Sequence, residues 1–264
     1  MKINAASAVA PVTTHRRALA HIADGLRDEV LGPILMEHVQ ICPQHAGYVD
    51  EELVTDLMQA YPTTAFRLHA SPKLSGHGRS IVHVSNWQDH LEYINEALRL
   101  GEIMGSHGHT VHAGERRDCD IDEMIDRLDA LQQKTGMPIG VEGLYPSKRD
   151  RWLMSTWQEH ERVAERGCLY ALDLSHLNIV ARTHGRQDDL VRDLLTSPQC
   201  IEVHVSANDG RADAHKPLEH SSRPWWIEML EEASSQAVIF YEGVLVDPRK
   251  KKNKVGAGIA AMLG

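Results

Sequence analysis

No Cys-x-x-Cys pair occurs in this 264-residue chain, whose four cysteines (Cys42, Cys119, Cys168 and Cys200) are widely spaced. The spacing argues against a zinc ribbon and a secreted disulfide framework, and makes a reducing cytoplasm the expected location. Long apolar runs are missing too. The opening MKINAASAVAPVTTHRR lacks the apolar core of a signal peptide, and no segment approaches the ~20 apolar residues of a membrane span, so no membrane partner is expected. Positive charge is in the minority: 28 Lys and Arg against 37 Asp and Glu give a formal net charge of −9. That balance gives no electrostatic case for nucleic acid, without excluding it through a local basic patch. No Pro/Gly/Ser-rich linker divides the chain. A single domain over 1–246 is expected, followed by a basic, flexible tail over 247–264 that carries Arg249, Lys250, Lys251 and Lys252.

Histidine, in contrast, is abundant: 17 residues against two phenylalanines. A single surplus histidine is most often a solvated surface residue, so placement has to carry the argument. Strand-like segments fall at Lys2–Ser7, Ile34–Ile41, Ala65–Ala70, Thr110–Ala113, Ile139–Gly143, Leu169–Leu174, Ile201–Ser206 and Val238–Glu242. Amphipathic helical patterns separate them at His15–Val30, Glu51–Tyr61, Trp87–Met104, Ile121–Thr135, Arg151–Arg166, Asp188–Thr196 and Pro224–Ser234. Strand and helix alternating about eight times predicts an α/β fold with a parallel sheet. At this length the pattern favours a closed (β/α)8 TIM barrel, whose active site lies at the C-terminal end of the strands.

Six successive predicted strands present a His, Asp or Glu at that end: His69, His112, Glu142, Asp173, His204 and Glu242. Three more donors follow closely. His176 lies three residues after Asp173, and Asp213 and His215 follow His204 in the loop of CIEVHVSANDGRADAHKPLEH. In a barrel all of these converge on one mouth. One such residue could be an ordinary polar cap, but a ring of carboxylates resists burial unless a cation compensates it. Five histidines and four carboxylates exceed the four to six donors of one divalent ion, which points to a two- or three-metal site. With no thiolate in the set, the chemistry expected is hydrolytic or oxygen-handling rather than a structural zinc site.

The pattern resembles the xylose-isomerase-like TIM-barrel superfamily, and within it the branches with trinuclear sites: endonuclease IV-like AP endonucleases and multinuclear non-haem iron-dependent oxidative enzymes. The resemblance implies that His69, His112 and Glu142 hold one metal. Glu142 would bridge to a second, completed by Asp173, His204 and Glu242, and His176, Asp213 and His215 would hold a third. Endonuclease IV-like proteins usually carry Glu-Asn-Thr-Ala-Gly where this chain has Glu142-Gly143-Leu144-Tyr145, and a Gly-x-Gly where it has KPLEHSSRPWW. These departures, with Pro224-Trp225-Trp226 and the LHAS segment, favour the oxidative branch. The expected function is therefore oxidation of a peptide or small molecule with O2, using two or three divalent or mixed-valent ions, iron favoured over zinc or manganese. A partner protein could present the substrate. The alternatives are an endonuclease IV-like zinc phosphoesterase acting on abasic DNA, a single-metal sugar isomerase or epimerase using Glu142, Asp173, His204 and Glu242, and a non-catalytic metal-binding protein. Candidate substrate contacts are Arg79, Tyr145, Lys148, Asn208 and Lys216, although each could equally be an ordinary loop residue.

Overall fold

The computed structural model describes residues 1–78 and 80–246. Arg79 and the expected tail over 247–264 lie outside the described residues. Eight strands form one parallel ring: β1 (Ile3–Ala6), β3 (Gly32–Ile41), β4 (Ala65–Leu68), β5 (His109–His112), β6 (Ile139–Glu142), β7 (Tyr170–Asp173), β8 (Cys200–Val205) and β9 (Val238–Tyr241). Each falls within or beside a segment expected from the sequence. β1 pairs with both β3 and β9, so the first strand of the chain joins the last. Between β4 and β5 the only parallel link is the His69–Thr110 bridge, where the Ala70 N–H donates to the Thr110 carbonyl at 2.9 Å.

The helices are α1 (His15–Ala23), α2 (Glu51–Ala60), α3 (Leu91–Ile103), α4 (Ile121–Thr135), α5 (Trp157–Glu165), α6 (Leu174–His184) and α7 (Asp188–Thr196). Their starts are set locally. Thr14, Asp50, Asp120 and Thr156 each accept a backbone N–H of the first turn through a side-chain oxygen. The helix expected to reach Val30 stops at Ala23, because Gly25 takes a left-handed φ of 90° and the chain turns into β2 (Leu26–Asp28), antiparallel to β3. The segment expected to be helical from Arg151 begins its helix at Trp157, and Trp87–Met104 opens with a 3-10 segment (Val84–His90) before α3. The helix expected over Pro224–Ser234 is reduced to a short 3-10 turn, Met229–Glu232. α6 was not expected. It begins on the residue after β7 with no intervening loop, so its apolar residues read as an extension of the strand.

The main core lies between the strands and the helices, with Leu19, Leu100, Leu128, Leu172 and Leu195 fully or almost fully buried. Each such side chain contributes ~1.5–3 kcal/mol of apolar burial. Inside the ring the apolar filling is small: Ala6, Ala8, Cys42 and Phe240 form a separate cluster. Much of the remaining interior is polar, with Gln40, Arg67, Thr110, Glu202 and His204 all buried. Among the described residues no helix is long and apolar enough to cross a membrane.

Candidate metal centre

The strand ends deliver the donors. Glu142, Asp173 and His112 are the last residues of their strands, His204 is the penultimate residue of β8, and His69 and Glu242 follow β4 and β9 directly. His176 sits in the first turn of α6, where Asp173 doubles as the helix N-cap and accepts the N–H groups of Ser175 and His176 at 2.7 and 3.0 Å. Those bonds use one oxygen of Asp173 and leave Oδ2 facing His176 Nε2 at 3.4 Å.

The loop after β8 is held in place by backbone pairing and by one buried carboxylate. Ala207 and Lys216 exchange two backbone hydrogen bonds of 2.8 and 2.9 Å, and the Val244 N–H donates to the His215 carbonyl at 2.8 Å. Asp28, fully buried, accepts from the Tyr241 hydroxyl and from the Leu218 N–H. This path brings Asp213 and His215 over the mouth, with His215 at a left-handed φ of 43° that non-glycine residues rarely adopt.

Eight of the nine expected donors line one cavity of about 220 Å³: His69, His112, Glu142, Asp173, His176, Asp213, His215 and Glu242. The ninth, His204, lies immediately beneath, with Nδ1 3.4 Å from Glu142 Oε2. Pro43, Gln44, Ala70, His83, Leu144, Tyr145 and Trp152 complete the wall.

Three observations fit the donors to cations. First, Glu142 Oε2 is buried without a hydrogen-bond partner, although His204 Nδ1 and His112 Nε2 stand 3.4 and 3.7 Å away. Those separations are too long for hydrogen bonds. They match donors placed tetrahedrally ~2.1 Å from a common ion, which lie about 3.4 Å apart. Second, the other oxygen of Glu142 is 3.6 Å from His176 Nδ1, so this carboxylate stands between two groups of donors. Third, His204 Nδ1 and Asp213 Oδ1 are likewise buried and unpartnered. Among the described residues three sets can converge on an ion: His69, Glu142 and His204; Glu142, Asp173 and His176; and Asp173, His204 and Glu242. The grouping differs in detail from that implied by the resemblance. In particular Asp213 and His215 are joined directly by a 2.8 Å hydrogen bond, with His176 3.5 Å from Asp213.

Charge states follow from these surroundings. Burial strips water from Glu242 and pushes its carboxyl up to about 7, against the pull of His204 and His215. Burial also opposes charge on Glu142, but His204, His112 and His69 outweigh it and hold this carboxyl well below its usual range. Burial takes His69 down to about 3. His215 is also opposed by burial, yet the Asp213 hydrogen bond and the Glu242 charge lift it to about 9.

Of the candidate substrate contacts, Tyr145 lines the cavity, its ring centroid 4.9 Å from that of His176. Lys148 and Lys216 are exposed and outside the lining. Asn208 is engaged in the loop: its amide donates to the Ser175 carbonyl at 2.7 Å, and its oxygen accepts from Asn178 and Gly210. Sequence reasoning assigned no role to Gln44, Trp152 or His83; His83 lies in the long segment after β4, its ring 6.1 Å from that of Trp152 and 6.0 Å from that of His112. His109 lies at the start of β5, away from the mouth, with Nδ1 2.9 Å from the Leu68 carbonyl.

No family model and no curated protein matches the chain. Solved structures do. A D-tagatose 3-epimerase-like protein superposes with a TM-score of 0.66 at 16% identity, covering 99% of this chain and 98% of its own. AP endonuclease, family 2, from Brucella melitensis gives 0.62 at 14% identity, covering 92% and 93%. D-allulose 3-epimerase from Methylomonas sp. gives 0.58 at 17% identity, covering 97% and 90%. These likenesses show the fold, a TIM barrel. They lend nothing to the oxidative iron reading.

Proposed function

We propose that this chain is a metal-dependent phosphoesterase whose site would hold at least two divalent ions, with Glu142 shared between the two groups of donors. The observation that carries the reading is the surplus of donors. One ion needs only Glu142, Asp173, His204 and Glu242, yet His69, His112, His176, Asp213 and His215 line the same cavity. Bound there, paired divalent ions supply Lewis-acid stabilisation to the attacking and leaving oxygens of an in-line displacement. The chain's own residues do the rest. Glu142 holds the two halves of the site in register. Trp152 and Leu144 wall the cavity against water, and the Tyr145 hydroxyl, kept neutral by burial and by Asp213 and Asp173, is a hydrogen-bond donor at the mouth. Arg116 and Arg151 are engaged with Glu159 and Glu115, which favours a small phosphate ester over duplex DNA.

A second reading, sugar epimerisation, has its own support. Glu242, with its carboxyl near 7, is suited to proton transfer at a carbon next to a carbonyl, and two of the matched structures are described as an epimerase or epimerase-like. The deciding experiment is elemental analysis of protein purified anaerobically without a metal-binding tag, followed by assays of the wild type and His215→Ala. Two or three ions per chain and phosphoester cleavage abolished in His215→Ala support the proposal, with an abasic-site duplex and a small diester tested in parallel. One ion and ketose epimerisation that survives His215→Ala would establish the epimerase instead. Iron with O2 consumption and no ester cleavage would return the oxidative reading.

A further inference from the structure

Beneath the donor layer, the polar interior of the barrel has a definite wiring. Glu202 lies on β8 two residues before His204, so the two side chains share a side of the strand. Its carboxylate is fully buried and clamped: Arg67 donates to Oε1, and Gln40 and Thr110 donate to Oε2 at 2.5 and 3.1 Å. An ion-paired carboxylate that already receives three donors has no proton to give. His204 Nε2, 3.1 Å from the same Oε2, must therefore supply the hydrogen of that contact. The Gln40 amide nitrogen also lies 3.0 Å from His204 Nε2, but with one amide hydrogen on the closer carboxylate oxygen the second, about 120° from it, is not aimed at Nε2. With Nε2 carrying the proton, Nδ1 keeps its lone pair, and Nδ1 is the unpartnered atom that faces Glu142.

The same wiring reaches a second donor. Having donated to Glu202, the Thr110 hydroxyl is left as an acceptor for His69 Nδ1 at 3.1 Å, so His69 Nε2 is the lone-pair nitrogen and faces Glu242 at 3.7 Å. His176 and His215 do not depend on this network, because their Nδ1 atoms lie 2.9 Å from the Gly143 carbonyl and 3.3 Å from that of Glu242.

We infer that Glu202 is a positioning residue for the metal centre, fixing His204 in its Nε2–H form directly and His69 in its Nδ1–H form through Thr110. This rests on the reading of His204 and His69 as metal ligands. A merely structural Arg67–Glu202 pair would satisfy the interior equally well but would leave both tautomers free to change without consequence for metal binding.

The test uses the full chain with 15N-labelled histidine, stripped of metal and then titrated with Co(II). In Glu202→Gln, Co(II) affinity is expected to fall by about 10–100-fold, the usual effect of removing an outer partner of a metal ligand. The His204 nitrogen resonances should move from the Nε2–H pattern to a tautomer mixture. Thr110→Val keeps the Arg67–Glu202 pair intact and covers the case in which Glu202→Gln does not fold. It should disturb the His69 resonances alone, with a smaller loss of affinity. Folded variants with both tautomers unchanged and Co(II) affinity within twofold of the wild type would overturn the inference. If the wild type itself fails to bind Co(II), the metal reading falls, whereas the tautomer pattern still decides the role of Glu202.

Discussion

The two walls of the cavity are built differently. On the β4–β5 side stand His69 and His112, whose facing carboxylates, Glu142 and Glu242, come from other parts of the ring and stay 3.7 Å away. Both histidines are shifted towards the neutral form by burial. On the β7–β9 side Asp173, Asp213 and Glu242 surround His176 and His215, and these imidazoles are pushed up by their carboxylate neighbours in spite of burial. The same residue type is therefore ready to ligate on one wall and must first shed a proton on the other. The lesson is that the carboxylate company of a histidine, more than its burial, decides how it will behave.

Glu142, which belongs to both walls, gives the sharpest test of that division. Glu142→Gln removes the shared negative charge, and metal affinity should fall by more than the ~10–100-fold expected for an outer partner; isothermal titration with Co(II) or Zn(II) measures it. Next in size, His112→Ala should remove one ion from the β4–β5 side and leave a tighter-binding ion in place, seen as a drop of one in metal stoichiometry. Equal loss from both walls would show that they do not act separately.

Outside either wall, His15 and His160 provide the reference, since burial takes each down to about 3. A histidine neutral in the fold but titrating near 6.5 when unfolded adds nothing unfavourable above that pH, and destabilises progressively as pH falls below 6.5 towards about 3. The slope approaches ~1.4 kcal/mol per pH unit for each. Urea denaturation of metal-free protein at pH 7 and pH 5 should show the loss, and His15→Gln should flatten it. The smallest effect is expected at Tyr145. Tyr145→Phe removes one hydrogen-bond donor at the mouth, worth a ~2–10-fold fall in kcat/KM with stability unchanged. An unaltered rate would remove Tyr145 from the site.

The pattern of strands, and with it the ring of donors, was legible because polar residues ending apolar runs are costly unless they serve a purpose. His69, His112, Glu142, Asp173, His204 and Glu242 each stand out against their own strand. Residues that build the walls without ligating were harder to read. Trp152 and His83 come from irregular segments whose paths are set by long-range contacts such as the Glu115–Trp152 bridge. α6 was hidden because Asp173 serves as strand end and helix cap at once. Glu202 carried a signal that went unused: in CIEVHV it shares with His204 the polar half of the alternation. The helix expected over Pro224–Ser234 shows the opposite failure, with an amphipathic pattern overridden by tertiary packing of Trp226, Met229 and Leu230.

The joint between β4 and β5 has a mechanical meaning. Every other pair of neighbouring strands in the ring is sewn by at least two register pairs, whereas this one has a single bridge at His69–Thr110. His69 sits on that seam, and the atoms facing it, on Glu142 and Glu242, belong to strands beyond it. A cation gripping these side chains acts as a rivet through the loosest joint of the barrel. Hydrogen exchange at the Ala70 amide, which donates across that seam to the Thr110 carbonyl, would then gauge loading: fast in stripped protein, slow once the rivet is in.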